Sequence, residues 1–255
     1  MTEHEGIKKI LLTAVHEIQT NGLRSLADRL LQFLFFNVYL QCRKVLPSNP
    51  SGRQIRSGVR VSVDDAKLLD RIIGFPYYEQ NEIEFIERYV MTEDVVVDIG
   101  GGMGVTGVCA AQQAGKVGKV RIFEASGSCV DQIKTTLDMN TVPATVTVDH
   151  AIVAEKTGGI RFDEGHDAKI MSPRELPDCD VLNMDCEGAE LPILEHMTVR
   201  PRVILVETHS QFGSPKQKIL ELLDNKGYDV VDILDAGEEM SQIASVARDS
   251  DQPSS

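Results

Sequence analysis

Short apolar runs alternate with amphipathic segments from about residue 70 almost to the end of the chain. Runs such as "VVV" at 95–97 and "VILV" at 203–206 are apolar at every position rather than at every second one. Strands of this kind are buried on both faces, which happens when helices cover both sides of a parallel sheet. We therefore predict an α/β fold with a doubly wound, mostly parallel sheet of about seven strands.

The first 70 residues follow a helical pattern instead, with apolar residues at helical spacing in "IKKILLTAVHEIQT" and "SLADRLLQFLFFNVYLQCRKVL". We predict an N-terminal helical extension at 1–70, a cofactor-binding domain at 71–249 and a disordered tail at 250–255. The phenylalanines at 33, 35 and 36 predict core packing or a homodimer face. The scarcity of Lys and Arg on the polar side of this segment disfavours contact with a membrane surface. The basic stretch "RQIRSGVR" at 53–60 is expected to be a solvated loop, with contact to an anionic substrate as the alternative.

Composition narrows the function classes. The 255-residue chain has a formal net charge of −13 and a pI of about 4.9, and such a surface repels phosphate backbones, so we expect no nucleic-acid partner. Five scattered cysteines without a CxxC pair indicate free thiols in a reducing compartment, and the N-terminus lacks the order of a signal peptide. The most apolar stretch, residues 30–40, is shorter than the roughly 20 residues that span a bilayer. We expect a cytoplasmic protein.

The stretch "VVVDIGGGMGVTG" at 95–107 is a predicted strand that leads into a glycine-rich loop, the usual ligand seat of an open α/β sheet. It lacks the Lys and the Ser or Thr of a phosphate-binding P-loop. Gly102, Gly104 and Gly107 do fit a dinucleotide fingerprint, and Glu124 stands 22 residues after Gly102, where a ribose-binding acid belongs. Taken alone, this match indicates a dinucleotide only weakly.

Asp98, at the end of the predicted strand, changes the expected ligand. A carboxylate beside a pyrophosphate would crowd two anions into one small site, whereas it suits a cofactor with a cationic amino group and no phosphate. S-adenosylmethionine is such a cofactor, and its ribose hydroxyls need an acceptor such as Glu124. The loop is then interpreted from Asp98 onward, with Gly100, Gly102 and Gly104 as its glycines.

Six segments stand in a characteristic order between about Gly74 and Asp249. They are "YYEQNEIEFIERYV", "VVVDIGGGMGVTG", "VRIFEAS", "VDHAIVAEKTGGIRF", "VLNMDCEGAELPILEHM" and "PRVILVETHSQF". This part of the chain resembles the FkbM-type family of S-adenosylmethionine-dependent methyltransferases. The resemblance implies a Rossmann-like methyltransferase sheet and S-adenosylmethionine as the cofactor. The chain departs from the family at Gly101 and Gly102, where alanine and asparagine are usual, and at Asn183, where lysine is frequent.

The resemblance also implies residue roles. Glu79, with Tyr78 beside it, covers the methionine end of the cofactor, Glu124 binds the ribose, and Asp185 faces the transferable methyl group. His150 and Ala151 meet the adenine. The full set of implied cofactor-binding residues is Glu79, Asp98, Gly100, Gly102, Gly104, Glu124, His150, Ala151 and Asp185.

The ends of the fourth and fifth predicted strands of this domain bring titratable side chains together. Asp185 ends the fourth strand, and Glu207 and His209 share one side of the fifth. An alcohol that accepts a methyl group must lose a proton, which a carboxylate or a histidine takes. We predict Asp185, His209 and Glu207 as catalytic residues. We expect them to form a plain acid–base network, with a divalent metal that orients a diol as the alternative. Glu190 is expected in the first turn of the next helix.

These observations predict an S-adenosylmethionine-dependent methyltransferase that methylates a hydroxyl of a small molecule, a sugar or a lipid-linked glycan. Two alternatives stay open. One is an NAD(P)-dependent oxidoreductase, which Asp98 disfavours. The other is a degenerate methyltransferase fold that serves as a binding module, which the intact acidic positions disfavour.

Overall fold

The structure is a computed structural model that describes residue 27 and residues 30–49, 52–64, 66–155, 167–235 and 240–248. The predicted tail at 250–255 and the first predicted helix lie outside these residues. None of the helices in the described ranges is long and apolar enough to cross a bilayer. The chain divides into two compact units, residues 1–50 with 67–69, and residues 51–66 with 70–255.

The described residues of the first unit are helical before residue 44. A π-helical segment, Phe35–Tyr39, continues into α1, Leu40–Arg43. The ring of Phe35 is buried and lies 5.3 Å from that of Phe36 and 5.4 Å from that of Tyr39, measured between centroids. Phe35 is thus a packing residue, whereas Phe36 is 49 % exposed. A homodimer through this segment stays a prediction.

The second unit begins with a β-hairpin that the sequence analysis did not predict. Strands β1, Arg53–Arg56, and β2, Val59–Ser62, pair antiparallel. The two residues between them, Ser57 and Gly58, have φ angles of 43° and 83°. Two left-handed residues make the type I′ turn that favours tight hairpins. The expected solvated loop at 53–60 is therefore a strand pair, and it groups with the sheet domain rather than with the N-terminal helices.

A sheet of eight strands forms the centre of the described part of the second unit, in the order β6-β5-β4-β3-β7-β8-β10-β9. All neighbours are parallel except β10, which is antiparallel to both β8 and β9. The strands are β3 Val95–Ile99, β4 Lys119–Glu124, β5 Thr145–Val153, β6 Lys169–Met171, β7 Val181–Met184, β8 Val203–His209, β9 Tyr228–Asp235 and β10 Met240–Ala247. The helices are α2 Gln80–Tyr89, α3 Val105–Ala114, α4 Gly127–Met139, α5 Glu190–His196 and α6 Lys216–Asn225, with short 3₁₀ helices at Leu68–Arg71, Pro173–Glu175 and Ser210–Phe212.

This architecture confirms the predicted α/β class and the mostly parallel, Rossmann-like sheet. Successive strand residues face opposite sides, so Val96 packs in one apolar cluster and Val97 in another. The first cluster includes residues of α2, α3 and α4, and the second includes residues of α5 and α6. Helices on both faces explain why the strands are apolar throughout. The three-residue strand β6 brings the sheet to one strand more than the seven predicted.

The position of β3 locates the ligand site. Strand β3 lies between β4 and β7, so the chain leaves β3 toward one side of the sheet and later returns on the other. In an open α/β sheet, the loops at such a reversal diverge and leave a crevice at the carboxyl ends of the strands. The glycine loop follows β3, and Asp185 follows β7, so both flank this crevice.

Candidate active site

A cavity of about 280 Å³ opens at the carboxyl ends of β3, β4 and β5, near the size range of small-molecule pockets. Most of its wall is apolar, with Glu124 and Glu187 as the acidic side chains. The wall consists of Ile99, Gly100, Gly102, Phe123, Glu124, Ala125, Ser126, Cys129, Ala151, Ile152, Val153, Cys186, Glu187 and Ala189. Gly100, Gly102, Glu124 and Ala151 were predicted site residues. Most of the others were not predicted, although Phe123, Ile152 and Val153 lie at the same strand ends.

The glycine loop donates its key backbone N–H groups to the protein itself. The N–H of Gly100 donates to the carbonyl of Phe123 at 2.9 Å, and that of Gly104 donates to the carbonyl of Gly101 at 2.7 Å. The N–H of Gly102 donates to the carboxylate of Glu124 at 3.0 Å. A pyrophosphate at such a loop relies on free N–H groups. These three donors are engaged, which disfavours the dinucleotide alternative.

Only one predicted glycine of the loop faces open space. A Cβ atom on Gly100 would overlap the carbonyl oxygen of Asp185, and one on Gly104 would lie 3.0 Å from the Cα of Ile133. A Cβ on Gly102 would instead have the Oε1 atom of Glu79, 3.9 Å away, as its nearest neighbour. Close packing therefore accounts for Gly100 and Gly104, and Gly102 is the position where a ligand can approach the backbone.

Glu124 is fixed at the mouth of the cavity. It ends β4 and is 8 % exposed. Its Oε2 atom accepts from the N–H of Gly102, and its Oε1 atom accepts from the N–H of Ser126 at 2.8 Å. A carboxylate oxygen has two lone pairs, so both oxygens keep capacity to accept from ribose hydroxyls. This geometry fits the predicted ribose-binding role.

The two predicted adenine contacts differ in position. Ala151 is 5 % exposed and forms part of the cavity wall. The His150 ring lies outside the wall, with Nε2 3.0 Å from the carbonyl oxygen of Ala125 and Cε1 close to Gly127. His150 thus supports the β4–α4 connection, and its contact with a cofactor stays a prediction.

Asp98 lies beneath the glycine loop rather than in the cavity wall, with 1 % of its surface exposed. Its Oδ2 atom accepts from the hydroxyl of Thr106 at 2.9 Å, and its Oδ1 atom accepts from Nδ2 of Asn183 at 2.8 Å. The same Asn183 nitrogen donates to Glu82 at 2.6 Å. Burial raises the pKa of Asp98 and raises the pKa of Glu82 well above its usual range. In this arrangement Asp98 anchors the loop, so direct contact with a cofactor stays a prediction.

Glu79 faces Gly102 from the start of α2, and Tyr78 precedes it in the chain. Glu79 has a φ of 49°, a left-handed conformation that is costly for a side chain with a Cβ and that clusters at functional sites. Burial, with help from Asp98, raises the pKa of Glu79 to about 7 against the opposing effect of the Tyr78 hydrogen bond. The guanidinium of Arg56 lies 4.4 Å from the centre of the Tyr78 ring. The basic hairpin therefore reaches the rim of the predicted cofactor site.

Asp185, Glu207 and His209 come together as predicted, at the ends of β7 and β8. The Nε2 atom of His209 lies 3.4 Å from Oδ1 of Asp185 and 3.7 Å from Oε2 of Glu207. Burial and the carboxylate of Glu207 raise the pKa of Asp185 to about 8. Burial by itself lowers the pKa of His209, but the hydrogen bond to Glu190 and the nearby carboxylates outweigh it and raise the value.

Glu190 plays a larger part than the helix-start position predicted from sequence. Its side chain is fully buried, and its Oε1 atom lies 3.0 Å from Nδ1 of His209. It also accepts the backbone N–H groups of Cys186 and Gly188, at 3.2 and 2.9 Å. Burial alone raises the pKa of Glu190. The hydrogen bonds that Glu190 accepts from His209 and from other nearby groups outweigh burial and lower the pKa overall, so the carboxylate stays ionised. Its spacing from His209 in sequence gave no signal of this contact.

The chain is similar to known methyltransferases. Residues 117–230 match the family model described as a methyltransferase FkbM domain. A ribosomal protein L11 methyltransferase of Bacillus pumilus is 25 % identical over 162 residues, which cover 64 % of this chain and 46 % of that protein. The chain thus matches less than half the length of this curated relative.

Solved structures that align with this chain include two methyltransferases. A SAM-dependent O-methyltransferase of Thermotoga maritima has a TM-score of 0.49 and 18 % identity, covering 79 % of this chain and 80 % of that one. A precorrin-6y C5,15-methyltransferase of Geobacter metallireducens has a TM-score of 0.49 and 16 % identity, covering 68 % of this chain and 90 % of that one. The chain is therefore similar, over residues 117–230, to the methyltransferase domain of the FkbM family, as its segments indicated, and this similarity supports S-adenosylmethionine as the cofactor.

Proposed function

We propose that this protein is an S-adenosylmethionine-dependent O-methyltransferase that acts on a hydroxyl of a small molecule, a sugar or a lipid-linked glycan. The observation that supports it is the Asp185–His209–Glu190 chain beside the cavity. A buried carboxylate that fixes an imidazole, which in turn faces a second carboxylate, is an arrangement suited to accept a proton. The acidic surface supports an acceptor that is not a nucleic acid.

The chain's own residues fit the cofactor. The walls of the cavity offer apolar contact to an adenine at Phe123, Ala151 and Val153, and Glu124 accepts from ribose hydroxyls. Glu79, opposite the open face of Gly102, supplies a carboxylate for the amino group. When bound, S-adenosylmethionine supplies a methyl group on a positively charged sulfur and leaves as a neutral thioether. The protein then has to position the acceptor, exclude water and remove one proton.

Asp185 is the residue that we assign to the proton. The acceptor hydroxyl gives its proton to a carboxylate oxygen of Asp185 as the hydroxyl oxygen gains the methyl group. The carboxylate becomes neutral while the sulfur loses its positive charge, so the net charge of the site is unchanged. A pKa raised to about 8 makes Asp185 a stronger base than an exposed aspartate. His209 lies beside this carboxylate, with Nε2 3.4 Å from Oδ1, and Glu207 faces it as well.

Replacement of this one carboxylate tests the proposal. We expect Asp185→Asn to abolish turnover, because the amide has the same shape but accepts no proton. The affinity for S-adenosylhomocysteine, measured by calorimetry, should stay within a few-fold of the wild-type value. Turnover that survives the substitution excludes Asp185 as the base. Failure of the wild-type protein to bind S-adenosylmethionine or S-adenosylhomocysteine refutes the function itself.

A protein acceptor is the second candidate, supported by the similarity to a ribosomal protein L11 methyltransferase. Methyl transfer from a labelled cofactor to a cell extract separates the two. Label in the small-molecule, glycan or lipid fraction supports the first candidate, and label in the protein fraction supports the second. A titration with NAD and NADP on the same sample tests the oxidoreductase alternative.

A further inference from the structure

We propose that Asp185, Glu207 and His209 bind a divalent cation, which holds the oxygen of the methyl acceptor. Each of the three side chains offers one ligand atom, and these atoms all lie within 4.8 Å of one another. The cluster sits where β7 and β8 end, at the same edge of the sheet as the cavity. Binding of the ion does not depend on the proposed function, but its role toward the acceptor rests on it.

The orientation of His209 is the first argument. The residue is 5 % exposed and its Nδ1 atom is bound to Glu190, which leaves Nε2 as the nitrogen that faces the cluster. The distances from Nε2 to Asp185 and Glu207, 3.4 and 3.7 Å, exceed those of an ordinary N–H···O hydrogen bond, about 2.7–3.2 Å. This nitrogen is therefore directed at two carboxylates without a hydrogen bond to either.

Glu190 supplies the carboxylate that usually contacts the second ring nitrogen of a metal-binding histidine. Such a histidine donates its other ring N–H to a carboxylate, which fixes the tautomer and the ring orientation. Glu190 is outside the cluster, is fully buried, and is itself held by the N–H groups of Cys186 and Gly188. The sequence pattern predicted Glu190 only at a helix start, and without this carboxylate a plain acid–base network was the favoured interpretation.

The spacing and charge of the ligand atoms agree with an ion. Adjacent ligands of an octahedral cation at about 2.1 Å are about 3 Å apart, so the 3.4 and 3.7 Å from Nε2 require small movements, and the 4.8 Å limit of the whole cluster requires a larger one. The Asp185 and Glu207 side chains are only 25 % and 19 % exposed, and they repel one another when both are ionised. A divalent cation removes that repulsion.

The ligand set also indicates the class of acceptor. Two carboxylates with one imidazole suit ions such as Mn²⁺ that take oxygen and nitrogen ligands together. Three protein ligands leave positions open in an octahedral ion, enough for two oxygens of one molecule. An acceptor with a second oxygen next to its hydroxyl, such as a diol, fits this geometry. The bound hydroxyl then gives its proton to the carboxylate oxygen of Asp185 that does not contact the ion.

Direct measurement of Mn²⁺ binding tests the site. The full-length protein is stripped of metal, and Mn²⁺ is titrated by electron paramagnetic resonance without cofactor or acceptor. We expect one Mn²⁺ per chain. Asp185→Asn and Glu207→Gln, which keep the side-chain shape, should each weaken binding by more than about 100-fold. Glu190→Gln should cost roughly 10–100-fold, as expected for a partner behind a ligand. Asp131→Asn, an exposed carboxylate on α4, is the matched control and should bind as the wild type does.

The outcomes separate the two proposals. Absence of Mn²⁺ binding up to millimolar concentrations, or binding that both ligand variants leave unchanged, overturns the metal site. Calorimetry with S-adenosylhomocysteine on the same samples reports the proposed function independently. Loss of cofactor binding with intact Mn²⁺ binding refutes the function but not the site.

Discussion

Glu79 makes the predicted cofactor site sensitive to pH. Its pKa is raised to about 7, so it loses its proton within the neutral range and then faces the cavity rim at Gly102 as a charged carboxylate. Only the charged form pairs with the cationic amino group of the cofactor. We therefore expect S-adenosylhomocysteine, which carries the same amino group, to bind more tightly as the pH rises from 6 to 8.

The variant Glu79→Gln isolates this effect. Loss of one charge-assisted hydrogen bond costs about 1.5–3 kcal/mol. The dissociation constant of the variant for S-adenosylhomocysteine at pH 8 should therefore rise roughly 10- to 100-fold. Its affinity should also vary less between pH 6 and 8 than that of the wild type. Calorimetric titration at both pH values provides the measurement. An identical pH profile in the variant assigns the titration to a different group.

Arg56 offers a second prediction at this scale. Its guanidinium stacks on Tyr78, and its charge favours the ionised form of Glu79. Arg56→Gln should therefore move the pH dependence of S-adenosylhomocysteine binding to higher pH. The conservative Arg56→Lys keeps the charge and should restore most of the wild-type profile. A variant that lowers affinity equally at every pH would show that Arg56 acts through the shape of the hairpin alone.

The glycine loop shows, at the scale of an element, what a sequence pattern leaves undecided. The strand β3, its glycines and the following helix were predicted correctly, because apolar runs and glycine clusters carry strong local signals. The separate role of each glycine was not predictable. Gly100 is required by the carbonyl of Asp185, 85 residues away in sequence, and no local pattern reports such a contact. The hairpin at β1 and β2 was missed because its strands have four residues each and carry three arginines.

Two substitutions in the same loop should separate stability from binding. A Cβ on Gly100 meets a backbone carbonyl that cannot move aside, so Gly100→Ala should lower the free energy of unfolding by at least about 3 kcal/mol, the upper end of ordinary overpacking. Gly102→Ala meets open space and should cost only the roughly 1–2 kcal/mol of a left-handed alanine. Its added methyl group enters the cavity, so it should weaken S-adenosylhomocysteine binding. Denaturant unfolding of both variants measures the loss of stability, and calorimetry measures S-adenosylhomocysteine binding. Equal losses of stability in the two variants would contradict the prediction.

At the scale of the whole molecule, the order of the segments predicted the sheet domain, while the buried charges could not be predicted. Asp98 was expected to contact the cofactor because it ends a strand at the crevice. The structure gives it polar partners on two other elements, Thr106 on α3 and Asn183 on β7, which cover it. Nothing in the sequence indicated that Glu82, on α2, is buried, because a carboxylate in an amphipathic helix is normally assigned to the solvent side. Tertiary contacts of this kind appear only once the elements are packed.

The network of Glu82, Asp98 and Asn183 makes the stability of the cofactor-free protein depend on pH. Burial raises the pKa of both carboxyls, and the neutral amide that bridges them supplies no positive charge. Between the ordinary carboxyl pKa of about 4 and these raised values, the folded protein binds more protons than the unfolded chain. The free energy of unfolding then decreases as the pH rises. We expect a lower melting temperature at pH 8 than at pH 6.

Asn183→Asp tests this network without a change of shape. It places a third carboxyl between two that already resist ionisation, and an uncompensated buried charge costs about 3–5 kcal/mol. The variant should therefore be far less stable than the wild type at pH 8, and the difference should narrow at pH 5.5, because a larger fraction of the buried carboxyls is protonated at lower pH. Asn225→Asp, at the exposed end of α6, adds the same charge outside the network and should follow the wild-type pH dependence. Thermal unfolding of the three proteins at both pH values provides the measurement. If Asn183→Asp lowers the melting temperature equally at both pH values, packing rather than charge accounts for the loss of stability.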